Sequence, residues 1–242
     1  MTGVQTCALP ICYTGERESL DVVKAQAAGI KKVLFNGQKP ESVKQAPCIK
    51  KNEAFKTSGQ VQYVAQNGNF RKKGLEYTGA LEILKVILSY DYLWINLRVK
   101  GGAYGCMSGF KRNGESFLVS YRDPHLKRTL EVYQGVPDYI RAFEANEREM
   151  TKYIIGTISN KDVPRTPQMQ GSISKTAYFS NVTEDMLQKE RNQILGAQKE
   201  DIQKLAALVE AVLSDDQICV VGSETAIEKA EDVFMEVKPL IG

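Results

Sequence analysis

From Tyr104 to Tyr121 the chain alternates twice about a single Asn-Gly pair, and this feature constrains the fold most. Tyr104, Cys106, Ser108 and Phe110 alternate with smaller or polar residues; Asn113-Gly114 follows; Phe117, Val119 and Tyr121 then alternate the other way. A period of two is that of a half-buried strand. Asn-Gly accepts the two positive φ angles of a type I′ turn, so the segment reads as an antiparallel hairpin. Just upstream, Tyr77–Trp94 reads as a strong helix, with Leu81, Leu84 and Leu88 in one stripe and Ile83 and Ile87 widening it. A helix apolar over so much of its circumference is buried on more than one side.

The rest of the chain extends this pattern. Glu18–Phe35 has helical character, with Leu20, Val23, Ala27, Ile30 and Leu34 recurring and Asn36-Gly37 as a stop; Pro40–Pro47 is a polar connector. Ala54–Ala65 has β character, with Val61, Tyr63 and Ala65 on one face, and Asn67-Gly68-Asn69 is turn chemistry. Asp123-Pro124 reads as an N-cap followed by a first-turn proline, opening a helix through Leu126, Leu130 and Tyr133. That helix is disturbed near Gly135–Pro137 and continues through Ile140 and Phe143. Glu147–Ser159 is helical, and Pro164–Pro167 breaks the pattern. Ile202, Leu205, Ala206, Val209, Val212 and Leu213 form an amphipathic stripe. Gln217–Gly222 reads as a short buried strand. Ser223 can cap a final helix carrying Ile227, Ala230, Phe234, Val237 and Leu240. The expected fold is α+β of the split β-α-β kind, with helices on one face of a mostly antiparallel sheet.

Composition excludes several functions. No run approaches the roughly 18 apolar residues of a membrane span. With 32 basic and 29 acidic residues interspersed, the net charge of +3 is a solvated surface and no nucleic-acid footprint. Five cysteines (Cys7, Cys12, Cys48, Cys106 and Cys219) form no CxxC pair and read as reduced thiols of a cytoplasmic protein. A single histidine, His125, cannot with scattered thiols build an ordinary zinc site, so no metal is expected on this segment. His125 itself reads as a structural or surface residue.

Met1–Ile11, MTGVQTCALPI, has neither the apolar core nor the positive charge of a signal peptide. It matches the translation of a common short-read sequencing adapter, whose GCTCTTCCGATC end encodes Ala8-Leu9-Pro10-Ile11. The expectation is therefore an artefactual or disordered tail over 1–12, a helical lead-in and connector over 13–52, and the folded domain over 53–242.

The chemistry concentrates in Arg98-Val99-Lys100-Gly101-Gly102-Ala103-Tyr104-Gly105, which joins the buried helix to the hairpin. Adjacent glycines let backbone approach backbone or ligand closely and permit positive φ. Arg98 and Tyr104 flank them, and both can donate hydrogen bonds to a carbonyl oxygen. The spacing alone equally allows a tight helix-to-strand turn with a surface Arg and a half-buried Tyr. A phosphate loop fits poorly, since the Lys-Ser/Thr ending is missing and a strand follows.

Arg98-x-Lys100-Gly-Gly-Ala-Tyr104-Gly after a Tyr-Leu-Trp helix resembles the last domain of pitrilysin/insulinase-type peptidases of the presequence-protease kind. Ser120-Tyr121-Arg122-Asp123-Pro124, Thr166-Pro167 to Gly171, Arg191 to Ile194 and Cys219-Val220-Val221-Gly222 follow in family order. The resemblance covers about Ser58 to Gly242. It implies that two halves of one long chain enclose a peptide chamber, and that the first domain holds zinc through a His-x-x-Glu-His motif. That motif is absent here. On this resemblance Tyr104 is catalytic and Arg98, Tyr104, Gly101 and Gly102 bind substrate. Zinc belongs to the full-length enzyme, and the partners are short unfolded peptides and the N-terminal zinc-binding half. A second possibility is a non-catalytic structural or peptide-binding module of the same fold.

Overall fold

The computed structural model describes residues 11–33 and 51–240. In chain order its helices are α1 (Leu20–Val33), α2 (Ala80–Tyr90), α3 (Lys127–Gln134), α4 (Val136–Arg141), α5 (Glu147–Lys161), α6 (Pro167–Phe179), α7 (Glu184–Leu195), α8 (Lys199–Gln203), α9 (Ala206–Leu213) and α10 (Glu224–Glu228). Its strands are β1 (Glu53–Thr57), β2 (Gln62–Asn69), β3 (Gly105–Phe110), β4 (Glu115–Asp123), β5 (Gln217–Ser223) and β6 (Glu236–Pro239). The chain divides into two compact units, Met1–Cys48 with Val163–Leu187 and Ile49–Asp162 with Gln188–Gly242. The helical stop at Asn36-Gly37 and the connector Pro40–Pro47 lie outside the described residues.

In the smaller unit α1 and α6 bury no side chain. Thr166 caps α6 by accepting a hydrogen bond from the Met169 amide at 3.3 Å, with Pro167 in the first turn where its missing N–H costs nothing.

The larger unit is α+β. Its sheet runs β3-β4-β2-β5-β1-β6. The three pairings from β3 to β5 are antiparallel, and β1 pairs in parallel with both β5 and β6. Helices cover one face. Leu81, Ile83, Leu84, Ile87 and Leu88 of α2 are all fully or almost fully buried, as their periodicity demands. Ile202, Leu205, Ala206, Val209, Val212 and Leu213 are buried too, but a break at Lys204–Leu205 divides their stripe between α8 and α9. Val64, Leu118, Ile218 and Val220 meet these helices from the sheet. The opposite face, with Phe55, Tyr63, Ala65, Met107, Phe117, Val119, Tyr121 and Val221, is half-buried to exposed.

The structure corrects several sequence expectations. Ala54–Ala65 is two strands, β1 and β2. On β2 the buried face is Gln62, Val64, Gln66 and Gly68; Tyr63 and Ala65 belong to the open face, and Val61 precedes the strand. Two glutamines can point inward because each is paired. Gln62 donates to the Pro124 carbonyl (3.2 Å) and accepts from the Ser223 amide (3.0 Å). Gln66 donates to Leu213 (3.5 Å) and accepts from Gln134 (3.4 Å). Asn67-Gly68-Asn69 is strand and not turn; at Gly68 a side chain would collide with the Val212 carbonyl of α9.

The hairpin forms, with Cys106 opposite Ser120 and Ser108 opposite Leu118, but its turn is not type I′. Asn113 keeps a negative φ, Gly114 alone is left-handed at 90°, and the Gly114 amide donates to Lys111 at 2.9 Å. This is the three-residue loop of a type I turn closed by a glycine bulge. Helix α3 starts at Lys127, later than Asp123-Pro124 suggested. Asp123 ends β4 and accepts the His125 amide at 2.9 Å. The final helix stops at Glu228, and Ser223 makes no side-chain cap bond. The chain then turns back into β6, because the Met235 and Glu236 amides are taken by the Asn52 carbonyl (2.7 and 3.2 Å). Leu240, expected on one face of that helix, lies beyond β6 and is 50% exposed.

Candidate functional site

Between α2 and β3 the backbone leaves the α-helical pattern. Trp94–Val99 is a π-helix, with the Lys100 amide donating to the Ile95 carbonyl at 2.9 Å. Such widened turns are rare and concentrate at functional sites. Here the widening is held open by Asn96, whose side chain donates to the Tyr92 carbonyl at 2.8 Å. The segment ends by folding tightly on itself, with the Gly102 amide donating to Arg98 and the Ala103 amide to Leu97, both at 2.9 Å. Gly101 is buried against the Leu97 carbonyl, where any Cβ would collide; Gly102 is exposed and left-handed at φ 79°. Each glycine meets a distinct backbone demand, close approach at one and positive φ at the other.

This turn presents two donors. Arg98 lies on the exposed side of the π-helix, its guanidinium 4.1 Å from the Trp94 ring centroid. Stacking of this kind orients the planar group while leaving its N–H donors at the rim free. Tyr104 is 59% exposed, and its backbone amide donates to the Arg122 carbonyl at 3.3 Å. Its ring stands edge-on to Tyr121 at 5.3 Å, with the Arg122 guanidinium 5.5 Å from its centroid. Among the described residues, neither the Tyr104 hydroxyl nor the Arg98 guanidinium has a hydrogen-bonding or ionic partner within the protein. Arg98 lies close enough to Cys106 to oppose electrostatically the upward shift of its thiol, an effect that burial outweighs.

The aromatic supports Trp94 and Tyr121 and the cation Arg122 were not singled out for this role by sequence reasoning. No motif marks stacking partners that come from different elements. His125 is exposed; its backbone amide donates to Asp123 at 2.9 Å and its carbonyl accepts from the Thr129 hydroxyl at 3.1 Å. Among the described residues no group of three or more His, Cys, Asp or Glu side chains is placed to hold a metal ion, so the donors present do not fit zinc. The described thiols Cys12, Cys106 and Cys219 are free. No helix among the described residues is long and apolar enough to cross a membrane.

Comparison with known proteins places the chain in a family. The family described as PreP C-terminal domain matches residues 52–224. The chain is 43% identical over 231 residues to protein HypA of Clostridium perfringens, covering 96% of this chain and 24% of that protein. It is 33% identical over 192 residues to presequence protease 1, chloroplastic/mitochondrial, of Arabidopsis thaliana, covering 78% of this chain and 18% of that one. It thus spans a quarter or less of the length of these relatives. Among solved structures, an inactive M16 peptidase domain from Pseudomonas fluorescens superposes with a TM-score of 0.56 at 18% identity, over 93% of this chain and 52% of that one. Pitrilysin superposes with a TM-score of 0.53 at 19% identity, over 82% of this chain and 22% of that one. The fold is shared with these structures, and the matched family and its relatives establish that the chain belongs to the presequence-protease C-terminal domain family of the pitrilysin-type peptidases.

Proposed function

We propose that this domain is the substrate-contacting, zinc-free part of a zinc metalloendopeptidase that degrades short unfolded peptides. One observation carries the reading. Arg98 and Tyr104 are exposed, held by aromatic neighbours, and have no hydrogen-bond partner for their polar ends among the described residues. Two oriented donors without a protein acceptor, flanking a rigid Gly-Gly turn, suit an extended peptide's carbonyl groups. On this reading Tyr104 donates to the scissile carbonyl oxygen as negative charge grows on it. Arg98 holds the backbone nearby, while the exposed Gly102, next to a Gly101 packed against the Leu97 carbonyl, lets the peptide approach the turn. The zinc-binding half of the same protein supplies the hydrolytic centre and is the domain's partner, and the free thiols agree with a reducing, cytoplasmic setting.

Substitution in the full-length enzyme tests the proposal. Tyr104→Phe keeps the ring and removes one donor. It is expected to lower kcat by about 10²- to 10³-fold, as loss of an oxyanion donor does elsewhere, with KM much less changed. Arg98→Ala is expected to raise KM as well, because a positioning contact already acts in the ground state. A Tyr104→Phe enzyme with unchanged kcat would leave only the alternative, a non-catalytic structural or peptide-binding module.

A further inference from the structure

We infer that Arg122 is a positioning residue for Tyr104, aimed at it by a built-in irregularity of the sheet. The inference rests on the reading of Tyr104 as a substrate-contacting donor and adds what keeps that donor in place.

The irregularity is a β-bulge. Gln62 faces Asp123 and Val64 faces Ser120, so three steps along β4 match two along β2. The extra residue falls at Tyr121–Arg122, opposite Tyr63. Bulges bend a strand and re-aim side chains, and they recur beside active sites. Arg122 has φ 49°, in the left-handed region that residues with a Cβ seldom adopt. Glycine or asparagine would satisfy that backbone more easily, so the bend alone does not account for an arginine.

Its surroundings hold that conformation. Asp123 is 1% exposed and both carboxylate oxygens are engaged, one by the His125 amide (2.9 Å) and one by the Thr129 hydroxyl (2.7 Å). The Arg122 carbonyl accepts the Tyr104 amide at 3.3 Å, tying the bulge to the start of β3. Its guanidinium lies 5.5 Å from the Tyr104 ring centroid, within cation–π range. Tyr121 meets the same ring edge-on at 5.3 Å. The Tyr121 ring has room there because any side chain at Gly105 would collide with it. Tyr104 is otherwise exposed, so these two contacts restrain the swing of its ring. The hydroxyl is at the far end of that swing, where a shift of about 1 Å can cost up to about 10²-fold in rate.

The test uses Arg122→Asn, which tolerates the left-handed backbone but lacks the cation, and Arg122→Lys, which keeps it. In this chain, the Arg122 δ-methylene protons should show an upfield ring-current shift by NMR. Tyr104→Leu should abolish that shift and Tyr104→Phe retain it. In the full-length enzyme, Arg122→Asn should lower kcat about tenfold with KM changed less than about twofold, and Arg122→Lys should recover most of the loss. In a Tyr104→Phe background Arg122→Asn should have no further effect. Absence of the ring-current shift, wild-type kcat in Arg122→Asn, or additive losses in the double variant would each overturn the proposal. A ring-current shift together with wild-type kcat in Tyr104→Phe would mean that the contact exists while Tyr104 is no donor. That result would overturn the underlying reading and the positioning role with it.

Discussion

Gly101 and Gly102 are neighbours with the same side chain and different reasons for it. Gly102 is left-handed at φ 79°, and a Cβ there would make only ordinary contact with Pro124 at 3.6 Å. Gly102→Ala therefore meets a backbone penalty alone, about 1–2 kcal/mol. At Gly101 the added carbon would overlap the Leu97 carbonyl, whose oxygen already accepts the Ala103 amide. Gly101→Ala must displace the end of the π-helix, and the expected loss is larger, about 3 kcal/mol or more. Urea unfolding of the two variants decides; equal losses would show that the two positions share one constraint. The pair was legible in the sequence as a place where backbone must come close, as were Arg98 and Tyr104 as flanking donors. The Trp94 stack under Arg98 was not, because the π-helix that sets its geometry leaves no period in the residue pattern. Nor was the bulge at Arg122, whose φ depends on the pairing register with β2.

At the scale of elements, the α2 stripe was read correctly, but the stripe of α1 buries nothing, the one after Ser223 is not a single helix, and strand faces were not always read correctly. The α2 stripe announces its burial because five large aliphatic residues admit no other arrangement. On β2 the rule failed, since Gln62 and Gln66 take the covered face through hydrogen bonds to distant segments. The last strand was missed for a similar reason. Val237 and Leu240 continue a helical period after Ile227, but Asn52 captures the chain first. Asn52 is 6% exposed; its carbonyl accepts the Met235 and Glu236 amides, and its side chain accepts the Ile218 amide at 3.1 Å and donates to Asp216 at 3.1 Å. One residue thus joins the starts of β1, β5 and β6. Asn52→Ala would leave the buried Ile218 N–H unpaired and remove a second bond to Asp216. The expected loss is about 2–3 kcal/mol. Hydrogen exchange should show earlier loss of protection in β5 and β6 than in the β3–β4 hairpin. A uniform change across the sheet would argue against this local anchoring.

At the scale of the whole molecule, the larger unit is organised around its sheet, and its charges serve that organisation. Glu190, 4% exposed, is held by Arg112 at the hairpin tip and Lys161 at the end of α5, so its carboxylate is engaged in structure. Asp123 is occupied in the same way. These two buried carboxylates are thus already committed, the histidine is exposed, and no cluster of metal donors is found among the described residues. The purified chain is therefore expected to retain no stoichiometric zinc after dialysis and to cleave no peptide. Metal analysis and a fluorogenic-peptide assay with and without chelator check both halves of the statement. One tightly held zinc per chain, or cleavage that a chelator abolishes, would mean that this domain carries a centre its donor arrangement does not reveal. Absence of both, with melting unchanged by added zinc, is the expected outcome, because a metal that binds only the folded state must raise its stability, and by more as its free concentration rises above its Kd.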